Sequence, residues 1–145
     1  MSEQSIEDRA QRFLAALRHC QVLGMAVERA DSKGLTLRLP YAPHIVGNPD
    51  TGVIHGGAIT TLMDTTCGAA VFSHPEASMG TATIDLRIDY MRPATPGQTI
   101  TARAECWHVT RSVAFVRAVA CDEDETRPVA IATGAFTVEK PKDKP

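Results

Sequence analysis

The order of residue types predicts an α+β fold in which one antiparallel sheet curls around a single central helix. Three observations carry this. Ala58, Ile59, Leu62, Met63, Thr66, Ala69 and Ala70 recur at helical spacing with small or apolar residues on most sides, so this helix needs cover nearly all round. A pair of short strand-forming runs precedes it, and four longer ones follow in succession. Parallel βαβ units would require a helix between each pair of late strands, and the sequence offers none there.

Taken in order, Ile6, Ala10, Phe13, Leu14 and Leu17 recur at three and four residues while Glu7, Asp8, Arg9, Arg12 and Arg18 take the other side. This predicts an amphipathic helix from about Ile6 to Arg18, within an N-terminal segment assigned to residues 1–20. Gly24 to Arg29 and Leu35 to Leu39 form a hairpin around Ala-Asp-Ser-Lys-Gly. From Tyr41 to Gly52, Pro43, Gly47, Asn48, Pro49, Asp50 and Gly52 predict a long loop. The central helix is opened by His55-Gly56-Gly57 and closed before Ser73-His74-Pro75. Thr81 to Met91 alternates, with Ala82, Ile84, Leu86, Ile88 and Tyr90 on one covered face and Thr81, Thr83, Asp85, Arg87 and Asp89 on the other. Three more strands are expected at Gln98–Val109, Val113–Cys121 and Val129–Val138, before a polar tail at 140–145.

At 145 residues the chain has room for one domain, near the usual size of about 100–150 residues. Hydrophobic residues at 43% and charged residues at 22% exclude a disordered or fibrous chain. Fifteen Lys and Arg against 17 Asp and Glu give no general field for nucleic acid or an anionic membrane, so neither is expected as a partner. No apolar run approaches the ~18 residues of a membrane span. The acidic, polar start lacks the pattern of a secretory signal, and Cys20, Cys67, Cys106 and Cys121 show no CxxC spacing. Free thiols in a reducing, cytoplasmic compartment are expected.

Chemistry concentrates between Gly52 and Asp64. Glycines at a helix start allow close approach by a ligand, and the first free N–H groups suit a carbonyl oxygen gaining negative charge. Asp64 sits in a helix otherwise dominated by small and apolar residues, where a carboxylate is costly unless paired or useful. A capping network at His55 with a solvated Asp64 and an active site are equally compatible with these features. His19, His44, His74 and His108 show no metal-ligand spacing, and neither GxSxG nor a phosphate loop is present.

His55-Gly56-Gly57, then Leu62 and Asp64, followed by Asp85-Leu-Arg-Ile-Asp-Tyr-Met-Arg-Pro93, resembles the hotdog-fold acyl-CoA thioesterases of the phenylacetate-degradation (PaaI) type. The resemblance runs from about Leu23 to Val138 and implies the hotdog fold, with hydrolysis of an acyl-CoA thioester to free acid and coenzyme A without metal or redox cofactor. It makes Asp64 the catalytic carboxylate, as nucleophile or general base, the Gly56 N–H the oxyanion donor, and His55 the support of that loop, beside Gly57. Thr83 stands where members place a Ser or Thr bonded to the carboxylate or water. Strict alternation turns Thr83 away from the helix, so it reaches the site only if the strand twists or bulges. Many members carry an Asn six residues before the His; Pro49 occupies that position here and Asn48 lies seven before, so a one-residue insertion is needed for Asn48 to act on substrate. Arg92, Arg111 and Ser112, beside turns, are candidates for the coenzyme A phosphates as well as ordinary surface residues. Met63, Phe72 and Met79 are candidates for setting acyl-pocket depth.

Gly56 and Asp64 are separated by eight residues, about 12 Å of helix, whereas a thioester carbonyl and its attacking atom span only ~3 Å. Two antiparallel helices related by a two-fold axis would bring one chain's helix start beside the other's Asp64. A homodimer is the smallest active unit expected, and the resemblance implies dimers often paired into a homotetramer. Two other readings are a hotdog enoyl-thioester hydratase or dehydratase, and a non-catalytic acyl-thioester-binding module.

Overall fold

In the computed structural model, which describes residues 1–77 and 80–140, helix α1 spans Glu3–Ala15, with the Ser2 hydroxyl accepting from Ser5 N–H as its N-cap. It begins three residues earlier than the apolar periodicity suggests because the polar first turn is capped rather than packed. Its apolar stripe of Ile6, Ala10 and Leu14 is buried. A short helix α2 (Arg18–Val22) follows, unforeseen because a single turn has too few positions to show a period.

Strands β1 (Ala26–Asp31) and β2 (Gly34–Leu39) form the expected hairpin. The breaker-rich loop is more ordered than its composition suggests. It holds a 3-10 turn at Pro43–Ile45 and two small paired strands, β3 (Val46–Asn48) and β4 (Val53–Ile54). Helix α3 runs Gly56–Ser73, and strands β5 (Thr83–Tyr90), β6 (Ile100–Val109), β7 (Val113–Cys121) and β8 (Ala130–Thr137) follow. Of the polar tail, residues 141–145 lie outside the described residues.

The six long strands make one antiparallel sheet in the order β1-β2-β6-β7-β8-β5. Alternate residues of β2, β6, β7 and β8 close on α3, so that Leu35, Leu37, Leu39, Ile100, Val116 and Phe136 surround Leu62, Met63 and Val71. Helix α1 covers the remaining side. Phe13 packs against Phe72 in a tilted arrangement with ring centroids 5.3 Å apart, and the absence of a side chain at Gly68 lets the Phe13 ring close onto α3. Arg9, placed on the solvent side by periodicity, instead folds over the Phe72 ring and donates from Nε to the Phe72 carbonyl at 3.1 Å. A cation on the last carbonyls of a helix satisfies otherwise orphaned acceptors and its dipole.

Strand β5 is at the edge of the sheet, and its burial departs from the expected single covered face: Ile84 and Tyr90 are about half exposed. Its far end is fixed by Arg92, whose guanidinium grips the buried Asp122 with two bonds of 2.7 and 2.8 Å. Thr95 N–H and Oγ1 and the Asp124 N–H also donate to that carboxylate. The Arg92 pair, together with these donors, holds the Asp122 carboxyl far below the ordinary carboxylate range. Because the folded value lies below the unfolded one, the stabilisation is present above about pH 4 and is lost as the pH falls further. Asp122→Ala should lower stability at pH 7 by taking the carboxylate from the half-buried Arg92 and leaving the Thr95 and Asp124 donors without their acceptor. Its melting-temperature deficit against the parent protein should shrink below about pH 4, as measured by thermal unfolding across pH.

Candidate active site

Beyond its first turn, helix α3 is buried over most of its surface and opens chiefly along one stripe. Gly56 and Thr60 are exposed and Asp64 is half-buried, at four-residue spacing, while Ala58, Ile59, Leu62, Met63 and Thr65 to Val71 are buried. Residues four apart lie one above the other on a helix. The stripe faces strand β5, which touches it at both ends.

At the helix start, His55 is the N-cap: its Nδ1 accepts from Gly57 N–H at 2.8 Å. A ring whose Nδ1 accepts carries its proton on Nε2, so His55 presents an N–H outward. A Cβ at Gly57 would lie 2.8 Å from that Nδ1, which is why the cap needs glycine there. The Gly56 carbonyl accepts from Tyr90 OH at 2.9 Å and from Thr60 Oγ1 at 3.1 Å, the two hydroxyls also bond each other, and Thr61 Oγ1 donates to the Gly57 carbonyl. The Gly56 N–H has no acceptor among the described residues. Thus Gly56 is held at its carbonyl while its own N–H has no acceptor among the described residues.

At the other end, Thr83 Oγ1 donates to Asp64 Oδ1 at 2.7 Å. A regular strand would turn Thr83 away from the helix, and the register shows how the contact arises. Thr83 pairs with Phe136 but Asp85 with Ala135, so Ile84 is the extra residue of a β-bulge. The bulge reverses the phase, letting Thr83 at one end and Tyr90 at the other both meet the helix. Gly134 permits it: a Cβ there would run into the Asp85 carbonyl oxygen and lie 2.9 Å from Leu86 Cδ1.

The remaining candidates separate. Asn48 Oδ1 accepts from Asp50 N–H at 3.0 Å, an Asx turn that employs this oxygen within its own loop. Arg92 uses all five of its N–H groups on Asp122, Pro93 and Arg127, leaving none for a phosphate. Arg111 and Ser112 are exposed on the β6–β7 turn, at the end of the sheet where β5 starts, and the Ser112 carbonyl accepts from Val138 N–H. Met63 is fully buried, Phe72 packs on Phe13, and Met79 lies outside the described residues. Burial, reinforced by neighbouring Asp64, pushes the Cys67 thiol up to about 12, and burial pushes Cys106 up to about 11, so both stay protonated at neutral pH. No group of His, Cys, Asp and Glu suited to a metal ion occurs among the described residues, and no helix among them is long and apolar enough to cross a membrane.

Residues 51–129, which contain the helix start, Asp64 and Thr83, match the family model described as the thioesterase superfamily. The chain belongs to the thioesterase superfamily. This family of thioester hydrolases also accounts for the fold. A solved structure of a protein from Pseudomonas aeruginosa is 54% identical with a TM-score of 0.84, covering 92% of this chain and 99% of its own. The Escherichia coli medium/long-chain acyl-CoA thioesterase YigI is 29% identical over 152 aligned positions, covering 94% of this chain and 96% of YigI. The E. coli PaaI protein of the phenylacetic acid degradation operon, 18% identical, superposes with a TM-score of 0.84 over 97% of both chains, a likeness of hotdog fold.

Tyr90, Thr60 and Gly134 are parts of this site that motif reasoning passes over. A Tyr closing an alternating strand was a visible signal, but its odd separation from Thr83 assigned the two to opposite faces. Gly134→Ala should push β5 away and break the Thr83–Asp64 bond. The folded variant is expected to lose at least tenfold in any activity that depends on Asp64, and a crystal structure would show Thr83 displaced.

Proposed function

We propose that this protein hydrolyses acyl-CoA thioesters at sites shared between two chains. The observation that carries this is the pairing of a half-buried Asp64, hydrogen-bonded by Thr83 at 2.7 Å, with an open N–H at the start of the same helix. The Asp64 carboxylate attacks the thioester carbonyl or removes a proton from the attacking water. The carbonyl oxygen takes the Gly56 N–H, strengthened by the helix dipole, as its negative charge develops. The His55 Nε2–H supplies a second donor toward the thioester. Thr83 fixes one carboxylate oxygen, leaving the other for the reaction. Family membership and the name of YigI support the acyl-CoA substrate.

The 12 Å between Gly56 and Asp64 requires the second chain, and the edge strand supplies a means. Strand β5 carries Thr83 beside Asp64 at its start and Tyr90 beside Gly56 at its end. Antiparallel pairing of β5 with its copy sets each chain's Thr83 near the other's Tyr90. One chain's Asp64 thereby meets the other's Gly56. An edge with unpaired backbone groups and half-exposed Ile84 and Tyr90 suits such pairing. A homodimer in a cytoplasmic setting, able to pair again into a homotetramer, is the assembly this reading expects.

The direct test is a panel of acyl-CoAs with a reagent that traps released thiol; no release from any of them would sink the proposal, and binding without release would favour a binding module. Asp64→Ala should lower turnover by at least ~100-fold while coenzyme A binding survives. Thr83→Ala should cost roughly 1 kcal/mol, or about fivefold in rate. Single turnover in 18O-labelled water identifies attack by the carboxylate itself if label enters Asp64, since only an acyl-aspartyl anhydride opened by water at the Asp64 carbonyl leaves a water oxygen there. The shared site has its own test. Asp64→Ala and Gly56→Pro homodimers should both be inactive, and mixing them under subunit exchange should restore activity, because one site per heterodimer then holds both intact residues. A confirmed heterodimer without activity would place both residues in one chain's site.

A further inference from the structure

Below the tip of the β1–β2 hairpin a cavity of about 210 Å3 lies between the sheet and the ends of α1 and α3. Leu35 from β2, Cys106 from β6, Ala70 from α3 and Ile6 from α1 give it an apolar lining. Ser73, the last residue of α3, lines it as well and is 3% exposed. Its Oγ is the one buried side-chain nitrogen or oxygen among the described residues that has no hydrogen-bond partner. A buried hydroxyl left unpaired is costly, and native interiors hold few of them.

This cavity is separate from the thioester site. Ser73 is nine residues beyond Asp64, which is about 13.5 Å and two and a half turns along the helix, so the two residues point to opposite faces. Asp64 meets β5 at one edge of the sheet, whereas the cavity lies under β2 and β6 toward the other edge.

The polar groups of the lining decide the ligand class. Both of its carboxylates are engaged: Asp31 pairs with Arg29 at 2.8 Å and accepts from Lys33 N–H at 2.8 Å, and Glu105 pairs with Arg117 at 2.9 Å. Glu76 is exposed and outside the lining. The groups left over are donors. The Lys33 ammonium has no partner among the described residues. His74 Nδ1 accepts from Glu76 N–H at 3.2 Å, and burial lowers the pKa of the ring, so at neutral pH it is uncharged with its proton on Nε2. An ammonium, a ring N–H and an unpaired hydroxyl beside apolar walls suit an anion carried on a hydrocarbon body. An apolar cavity of about 150 Å3 takes a benzene ring, so this one has room for a chain of several carbons.

We propose that this cavity is a second ligand site that takes a monocarboxylate of short to medium chain length. The Ser73 hydroxyl and the Lys33 ammonium meet its carboxylate, and Ile6, Leu35 and Ala70 pack its chain. The binding itself stands apart from the acyl-CoA reading, although the free acid released by that reaction belongs to this class.

Octanoate is the probe, titrated into the whole protein and followed by calorimetry and amide NMR shifts. It should bind saturably and shift the amides of Lys33, Gly34, Ser73 and His74, in the Asp64→Ala protein as in the parent. Ser73→Ala should weaken this binding about fivefold while leaving the melting temperature unchanged or higher, because an unpaired hydroxyl does not stabilise the empty cavity. Lys33→Ala, a surface change, should weaken it about tenfold. Neither variant should alter turnover of acyl-CoA in the absence of added acid. Octylammonium should not bind at the hairpin tip, and octanol should bind more weakly than octanoate. Shifts confined to the surroundings of Asp64 and Thr83, affinity for octylammonium equal to that for octanoate, or unaltered affinity in both variants would overturn the proposal. Hydrolysis of acyl-CoA with no octanoate at the hairpin tip would defeat this site alone, and octanoate there in a protein that hydrolyses no thioester would defeat the hydrolase reading alone.

Discussion

An 18-residue helix that is small or apolar nearly all round is stable in water only if something surrounds it, and this requirement organises the molecule. The sheet supplies most of the cover by curling, with every second residue of four strands directed at α3. Helix α1 closes the open side, and its Arg9 finishes the last carbonyls of α3. Beside the exposed helix start, the main opening is the stripe of Gly56, Thr60 and Asp64. A polar strip on an otherwise buried helix is where chemistry can be placed without exposing the core, and both ends of the candidate site lie on it.

The same cover sets the electrostatics. Burial keeps the thiols of Cys67 and Cys106 protonated, so the sulfur atoms near the helix behave as apolar filling, while Asp64 remains in contact with solvent through the stripe. At the sheet's other end the Arg92–Asp122 pair spends its entire donor set on structure. The two arginines beside turns therefore differ: Arg92 ties the end of the edge strand to the β7–β8 loop, and Arg111 on the β6–β7 turn has no partner among the described residues.

Much of this was legible in the residues. The buried helix, the hairpin and four late strands appear as period and alternation, and Val113–Cys121 has the bounds that alternation gives it. His55, Gly56 and Asp64 stand out because their types are unusual at a helix start and in an apolar helix. What escaped has a common cause. Bulges at Ile84 and Trp107 reverse a strand's phase without any change in composition, and the small β3–β4 pair is held by contacts such as His55 N–H to the Ile45 carbonyl, which no local pattern announces. Arg92 looked like a free cation because its partner is 30 residues away.

The bulge in β5 solves a problem of parity. Thr83 and Tyr90 are an odd number of positions apart, and a regular pleat sends residues at odd separation to opposite faces. One strand that must hold a neighbouring helix at both its first turn and its middle cannot do so at odd separation unless the count is shifted by one. Inserting Ile84 makes that shift with the fewest atoms, and the glycine opposite gives it room. The strand thus serves two masters in different phase: Leu86 and Ile88 keep step with Tyr90 at the helix start, and Thr83 keeps step with the carboxylate. Lengthening or shortening β5 by a single residue anywhere between them would uncouple the two ends while leaving its hydrophobic content unchanged.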